Sequence, residues 1–384
     1  MLKKFIDLIT SLKLTIVCLG AAMVLIFAGT ISQVHLGIWE AQQRYFQSML
    51  VWWPAEGNGF KIPIFPGGHL IGAVLLVNLI AAHVRRFRWT WKKFGIHLTH
   101  AGIIVMLAGG LFTDLFAVES NMRLTNGDTK NYSEDSRRME LAVIDTSNAD
   151  YDQVTAIPEA VLRRGGTIEH KSLPFRIAVR HYYQNSRLKM AREGDNSLKP
   201  IANKGPGAQV IVESISRSTG VNDRDVVSAA VEIFATEGSL GTWLVSDALG
   251  APQTFSAGGR TWQLAMRPAR YYKPYSVTVQ KFTHERYPGT DIPKNFASTV
   301  TLIDPDRSVS RNVLIYMNHP LRYRGDTYYQ AGFERDDRTT ILQVVRNPSF
   351  LAPYIACIIV AAGLLVQFGS HLVGFARRER AIPA

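Results

Sequence analysis

The sequence predicts a membrane α-helical protein with four transmembrane helices plus an extracytoplasmic all-β domain, sandwich- or barrel-like in form. Two observations predict this fold class. Four strongly apolar segments lie at residues 14–32, 69–84, 96–118 and 350–373, and each is close to the roughly 20 residues that span a bilayer as a helix. Residues 119–347 instead contain short alternating runs separated by turn residues, a pattern typical of antiparallel strands.

These segments divide the chain into five parts, the first of which opens with an amphipathic stretch suited to the membrane surface. The five parts are 1–32, the interfacial helix and first span; 33–68, an extracytoplasmic loop; 69–118, the second and third spans and their basic cytoplasmic turn; 119–347, the extracytoplasmic β-rich domain; and 348–384, the fourth span and a basic cytoplasmic tail.

The net charge of +12 is concentrated beside the apolar segments. By the positive-inside rule, both termini and the turn at 85–95 are cytoplasmic, and the large domain is extracytoplasmic. Since topology explains the basic surplus, no nucleic-acid partner is indicated. The first span has the features of a retained signal anchor, and no plastid-type transit segment precedes it. The expected location is therefore the bacterial cytoplasmic (inner) membrane, with the protein crossing the lipid bilayer several times.

The two cysteines, Cys18 and Cys357, both lie in predicted spans. The exported domain therefore has no disulfide and depends on its hydrophobic core. The sequence contains no C-x-x-C, which argues against thiol–disulfide exchange and against covalent haem attachment to this chain.

Within the β-rich domain the strand signals become clear only in the second half. Residues 119–170 give weak signals, and 185–207 is predicted to be a long loop. Alternating or β-branched runs predict strands at 229–235, 262–266, 275–282, 298–303, 311–317, 327–333 and 339–345.

Polar residues inside the apolar segments are the candidate functional residues, because a polar group in lipid is costly without a partner. His100 stands near the start of the third span, where the imidazole serves either a neighbouring helix or a cofactor. His97 precedes it by three residues, and His83 ends the second span. Asn78 is expected to bond another helix, and His69 to begin the second span. Small residues beside His100 permit close helix approach: Gly102, Gly109 and Gly110.

Three stretches resemble the ResB family (also called Ccs1 or CcsB) of type II cytochrome c biogenesis proteins. Thr99–Leu111 resembles the family's T-H-x-G helix, and Tyr287–Thr301 resembles its "YPGT…PK" strand-turn-strand. Met317–Gln330 is similar to its "N-x-P-L-x-y-x-G-x-x-y-Q" pattern. The three stretches occur in the family's order and within its topology.

The resemblance implies a subunit of a holocytochrome c synthase that exports haem b and presents it to exported apocytochrome c. It implies a second membrane chain with the WWD motif (ResC or CcsA type), and thiol-reducing proteins as further partners. His100 would be a haem axial ligand and would bind the haem iron. His83 or His97 would orient the haem or replace His100 as ligand. Arg85, Arg86 and Arg88 are candidates for the propionates.

Two alternatives remain at this point. In the first, the chain is a non-haem scaffold that recruits apocytochrome or stabilises the WWD partner, with His100 only packing between helices. In the second, it is a divergent paralogue dedicated to one electron-transfer complex. In either case the WWD signature itself is absent, and Trp52-Trp53-Pro54 is interpreted as part of an interfacial aromatic belt. His319 lies in the third motif, where a turn is expected because Asn, Pro and Gly surround it.

Overall fold

The computed structural model describes residues 2–53, 60–86, 90–191, 199–218, 224–290 and 292–379. Pro54, Arg88 and Arg380 lie outside these ranges. The chain divides into two compact units: one consists of Met1–Val118 and Arg346–Ala384, and the other of Glu119–Val345. The first unit is mainly helical and the second is mainly β-sheet.

Six helices are described, five of them in the first unit. They are α1 (Leu2–Ile9), α2 (Leu12–Ala41), α3 (Gly68–Arg86), α4 (Phe94–Phe116), α5 (Glu159–Arg164, in the β unit) and α6 (Ala352–Glu379). Helices α2, α3, α4 and α6 are long and apolar enough to cross a membrane. The prediction of four transmembrane helices is thus confirmed, and the protein is a multi-pass membrane protein.

The connection between the first two spans has more regular structure than a loop. Helix α2 runs past the end of its apolar segment at residue 32, because no proline stops it, and it kinks at Gly37, where φ is 75°. A π-helical turn, Gln42–Phe46, follows it. A hairpin of β1 (Leu50–Trp53) and β2 (Ile62–Pro66) then leads into α3.

Helices α4 and α6 pack closely through glycines. Gly95, Gly102 and Gly109 are the buried residues of α4, and a Cβ added at Gly102 would lie 2.6 Å from Cγ2 of Val360 on α6. The expectation of close packing is confirmed for Gly102 and Gly109. Gly110 lies on another side of the helix and has no such contact among the described residues, since an added Cβ would meet nothing within 4 Å. Close packing of Gly110 against a partner's helix stays a prediction.

Asn78, in the middle of α3, bonds other helices as predicted. Its Nδ2 donates to the carbonyl of Ile9 at 2.5 Å and to that of Ser11 at 3.2 Å, where α1 ends and α2 begins. Its Oδ1 accepts from Thr15 Oγ1 at 2.6 Å. One buried amide therefore ties the α1–α2 junction to α3.

In the described residues, the β unit has sixteen strands. They are β3 (Val118–Thr125), β4 (Thr129–Asp145), β5 (Gln153–Pro158), β6 (Gly166–Ile168), β7 (Arg176–Tyr183), β8 (Ser186–Met190), β9 (Val210–Ser214), β10 (Ser228–Ala235), β11 (Gly238–Ser246), β12 (Gln253–Ala257), β13 (Arg260–Arg286), β14 (Pro293–Asp304), β15 (Val309–Tyr316), β16 (Leu321–Tyr323), β17 (Asp326–Phe333) and β18 (Thr339–Arg346).

Ten of these strands form one large, nearly barrel-shaped sheet. Its order is β15-β14-β13-β4-β3-β18-β17-β16, with β12 also paired to β13 and β5 to β4. A four-stranded sheet, β11-β10-β7-β6, and a pair, β8-β9, complete the unit. This arrangement confirms the predicted all-β domain of sandwich or barrel type.

The long strand β13 serves two hydrophobic cores. Trp262 and Leu264, in its first half, pack with residues of the four-stranded sheet such as Val231. Val277, in its second half, packs inside the barrel-like part with residues such as Leu302. Because one strand belongs to both cores, the two halves of the domain are built on a common backbone.

One prediction for the β unit was wrong, because the predicted loop 185–207 begins with β8, which pairs with β9. The region 119–170, which gave only weak signals, contains β3, β4 and β5. Charged residues of β4 hid its strand character, because Glu140 lies opposite Arg267 and Glu134 opposite Arg270 on β13. Each pair is joined by an ion pair, at 2.9 Å and 3.1 Å respectively.

Buried carboxylates in the barrel-like part accept hydrogen bonds from tyrosine hydroxyls and from a basic side chain. Tyr323 donates its hydroxyl to Asp304 Oδ2 at 2.6 Å, and Arg324 Nη2 donates to Asp304 Oδ1 at 3.1 Å. Tyr275 donates to Asp326 Oδ2 at 2.7 Å. Burial pushes the pKa of Asp304 upward, but the Tyr323 hydrogen bond and the charge of Arg324 outweigh it, so the pKa is below its ordinary value.

We expect Gly102→Leu to destabilise the α4–α6 pair, because the new side chain would meet Val360 and the Ala356 carbonyl. Overpacking of this kind costs about 1–3 kcal/mol. Gly110→Leu is the matched control, since the space around Gly110 is open. The measurement is the thermal melting temperature of each purified variant. Equal melting temperatures for the two variants would contradict the close packing.

We expect Asp304→Asn to lower the melting temperature of the β unit at pH 7 and to reduce its acid sensitivity. A carboxylate whose pKa is lowered by folding stabilises the fold above its unfolded pKa of about 3.9, and that stabilisation disappears as the pH falls through the folded value. The difference between wild type and variant should therefore shrink between pH 5 and pH 2. A difference that is independent of pH would show that the charge is unimportant.

Candidate functional site

Three imidazoles meet between α3 and α4 in the helical unit. The ring of His83, near the end of α3, lies 4.9 Å from that of His97 and 5.8 Å from that of His100, measured between centroids. All three residues are half-buried. The structure thus brings together all three histidines that the sequence proposed as site residues.

The periodicity of α4 explains this grouping. His97 and His100 are three residues apart and so lie on one side of the helix. At about 3.6 residues per turn, this side is about half a turn away from the side that carries Gly95, Gly102 and Gly109. The glycine side packs on α6, which leaves the histidine side facing α3.

His100 has one ring nitrogen fixed by its own helix. Its Nδ1 lies 2.8 Å from the carbonyl oxygen of Ile96, one turn earlier. A carbonyl oxygen only accepts hydrogen bonds, so Nδ1 carries the proton and neutral His100 has its lone pair on Nε2. No residue in the part of the chain that the structure describes forms a hydrogen bond with Nε2. This is the tautomer that a metal ligand requires.

The arginines after α3 are engaged with α1. Arg85 forms an ion pair with Asp7 at 2.6 Å and donates to Thr10 Oγ1 at 2.8 Å. Arg86 donates to the carbonyl of Thr10 at 3.1 Å. These two residues therefore hold the N-terminal helix against α3 in this structure. Arg88, the third propionate candidate, lies outside the described residues.

A second polar group lies at the opposite end of α3 and α4. His69 Nε2 lies 2.5 Å from Asp114 Oδ2, and Gln47 donates to Asp114 Oδ1 at 2.7 Å. His69 begins α3, as expected, but its partner was missed. The signal was present, because an aspartate inside an apolar segment indicates a paired or functional carboxylate.

Histidines of the β unit belong to its fold. His319 forms a tight turn with Tyr316, whose backbone it pairs with, and the rings stack at 4.8 Å. This agrees with the turn expected there. His284 was given no role by the sequence, yet its Nδ1 lies 2.8 Å from Asp337. This hydrogen bond, together with the charge of Arg286, holds the pKa of Asp337 below its usual value.

The histidine cluster is not a site for a bare metal ion. Among the residues that the structure describes, no group of three or more His, Cys, Asp or Glu side chains is arranged to hold one. The lone pair on Nε2 of His100 instead suits a metal that brings most of its own ligands. Haem is such a group, because its iron needs only axial ligands from protein.

Part of the β unit is similar to a known protein family. Residues 246–341 match the model of the ResB-like family. Protein NrfI of Wolinella succinogenes is 32% identical over 102 residues, which are 27% of this chain and 11% of that protein.

Two cyanobacterial proteins named "Cytochrome c biogenesis protein CcsB" are also similar. The one from Synechococcus sp. (strain CC9311) is 38% identical over 78 residues, 20% of this chain and 17% of that protein. The one from Prochlorococcus marinus (strain MIT 9313) is 32% identical over 101 residues, 26% of this chain and 22% of that protein. The chain thus matches less than a quarter of the length of each of these relatives.

We expect His69 and Asp114 to be energetically coupled. In a double-mutant cycle of His69→Ala and Asp114→Ala, the coupling should fall in the range of about 0.5–3 kcal/mol found for contacting residues. The measurement is the free energy of unfolding of the four proteins in detergent. His83→Ala combined with Asp114→Ala is the control and should be additive, because His83 lies at the other end of α3. Additivity of the first pair would contradict the contact.

Proposed function

We propose that the chain is the ResB-like subunit of a membrane cytochrome c synthase. Its similarity to the ResB-like family and to two proteins named for cytochrome c biogenesis supports this proposal. In this role it handles haem b during export and presents it for covalent attachment to exported apocytochrome c. Haem is the transported substrate and is shared with a second membrane chain of the WWD type.

The observation that carries the proposal is the tautomer of the His100 imidazole. Its Nδ1 proton is fixed by the Ile96 carbonyl, so Nε2 presents a lone pair from a half-buried position inside an apolar helix. An acceptor in lipid without a partner is costly, and a haem iron would satisfy it. In this proposal His100 is one axial ligand, and the partner chain supplies the other.

His83 and His97 are then positioning residues for the same site. The ring of His83 lies 4.9 Å from that of His97 and 5.8 Å from that of His100, between centroids. The two rings therefore limit the directions from which a planar ligand reaches Nε2 of His100. Arg85 and Arg86 hold α1 in this structure and would have to leave it before they bind a propionate. They are therefore not part of the proposed site.

In this proposal, haem and the protein chain contribute different parts of the reaction. Bound haem supplies the vinyl groups that react with the thiols of the apocytochrome. The chain itself holds the iron, orients the ring and keeps water away from it. It has two cysteines, Cys18 and Cys357, neither of which is in a disulfide, and the thiols that react belong to the substrate.

The proposed topology places the β unit outside the bacterial cytoplasmic membrane and both termini inside. It assigns residues 33–68 and 119–347 to the outer side and the basic turn between α3 and α4 to the inner side. The His100 cluster then lies near the cytoplasmic face, where haem is captured from inside the cell. The His69–Asp114 pair lies near the outer face.

The second candidate function is a scaffold that binds no haem. One observation favours it: the family model matches residues 246–341 only, in the β unit, and does not include α4. A scaffold would use the β unit to recruit apocytochrome or to stabilise the WWD partner. His100 would then only pack between α3 and α4.

We expect His100→Ala to reduce the yield of c-type cytochromes at least about tenfold, since loss of a ligand should cost no less than loss of a group that supports one. Haem-stained c-type cytochrome is measured in cells that produce equal amounts of each variant. Added imidazole should restore part of the yield by occupying the vacated ligand position. His69→Ala is the control and should retain haem binding at the His100 cluster. Normal yield in His100→Ala cells would contradict the ligand role and favour the scaffold.

A further inference from the structure

Strand β15 (Val309–Tyr316) forms one edge of the large sheet. It pairs with β14 over its whole length, from Ala297 opposite Tyr316 to Asp304 opposite Val309, without a bulge. Among the described residues, no strand is paired along its other side. This edge belongs to the β unit alone, and it is a sheet edge with backbone groups that no neighbouring strand pairs.

The tight turn after β15 shows which backbone groups point outward. The N–H of Tyr316 donates to the carbonyl of His319 at 3.4 Å, and the N–H of His319 donates back at 2.9 Å. Tyr316 therefore directs its backbone away from β14. The bridge between Tyr316 and His319 is isolated, and no residue after His319 is paired with β15 in the part of the chain that the structure describes.

Alternation along a regular strand extends this orientation to every second residue. Ser310, Asn312 and Leu314 share the parity of Tyr316, so their N–H and C=O groups point away from β14. In the part of the chain that the structure describes, no backbone group bonds to them on that side. Three consecutive donor–acceptor pairs thus stand in a row at the spacing of a β-ladder.

The side chains of β15 keep this edge in place and leave it accessible. Ile315 is fully buried in the barrel-like core, whereas the Leu314 side chain is 50% exposed. The strand carries one charged residue, Arg311, and contains no proline or lysine. Natural edge strands are usually protected by charged residues, especially lysine, and by proline, and Arg311 is the one such residue in β15.

We propose that the β15 edge binds an extended polypeptide segment, which adds a strand to the sheet beside β15. A row of outward N–H and C=O groups recognises an extended main chain, and neither a lipid nor a helix offers the complementary row. Leu314 is half exposed on the outer face beside the added strand and favours an apolar side chain in it.

The identity of the segment rests on the proposed function. An apocytochrome must be unfolded while its thiols accept haem, so its chain is available in extended form. Recognition through the main chain tolerates different sequences, which suits a machine that serves more than one cytochrome. The edge would hold the substrate while the membrane part holds the haem.

The test removes one outward N–H and nothing else. Asn312→Pro deletes the N–H on the open side while the β14 side is untouched, and proline is tolerated on edge strands. Asn312→Ala is the matched control, because both variants lose the hydrogen bond from Thr301 to the Asn312 side chain and only proline loses the N–H. The full chain in detergent is titrated against a fluorescent peptide of about ten residues from around the C-x-x-C-H segment of an apocytochrome c, with serine in place of cysteine.

We expect Asn312→Ala to bind the peptide like wild type and Asn312→Pro to bind it about three- to tenfold more weakly, the effect of one hydrogen bond. Equal binding by the two variants would overturn the proposal, and so would an equal loss in both. A change in oligomeric state on Asn312→Pro with unchanged peptide affinity would also overturn it and assign the edge to a second copy of this chain.

A second arm leaves the protein unaltered and covers the case in which Asn312→Pro does not fold. The same peptide, N-methylated at alternate amides in each of the two registers, is titrated against wild type. One register should lose binding and the other should keep it. Equal affinity for both would overturn the proposal. Peptide binding is measured without haem, so its loss and the loss of haem from a His100 variant are separate results.

Discussion

A polar group inside an apolar helix must find a partner, and this constraint organises the helical unit. Asn78 donates hydrogen bonds from its side-chain amide to two carbonyls at the α1–α2 junction. Asp114 is hydrogen-bonded to His69 and Gln47. These contacts fix which helices are neighbours and at what depth. His100 meets the constraint only in part, because its own helix satisfies Nδ1 and leaves Nε2 available.

The glycines of α4 determine where that nitrogen points. Since Gly95, Gly102 and Gly109 bring one side of α4 against α6, the opposite side must face α3. The same rotation of the helix that buries the glycines therefore places His97 and His100 beside His83. Helix packing and the proposed ligand site are two consequences of one seven-residue spacing.

In the β unit, sheet continuity has a comparable role. Strand β13 runs through both hydrophobic cores, so the two halves of the domain share a backbone and a register. The barrel-like half does not close at β15, where the described residues form only an isolated bridge between Tyr316 and His319 beyond the pairing with β14.

The sequence was informative where one physical signal dominated. Hydropathy alone identified the four spans, and alternation identified strands such as 275–282 and 298–303. Strand β4 was missed because its charged residues do not resemble a buried strand in the sequence. Their charges are paired only when β13 lies beside β4 in the fold. Asp114 was overlooked as the partner of His69, since residues 45 positions apart meet only in the folded chain. The contact of His83 with the histidines of α4 is a similar case. The sequence indicated that the three residues lie at a similar depth in the membrane, but it did not show that their rings meet.

The central claim is that His100 holds haem, and an absorption spectrum tests it most directly. The chain is purified with and without its co-expressed WWD partner, as wild type and as His100→Ala. The account predicts a reduced haem b spectrum in the wild-type preparation that weakens in the variant. Absence of haem from the wild-type chain, with the partner intact and present, would contradict the account and leave the scaffold as the function of this protein.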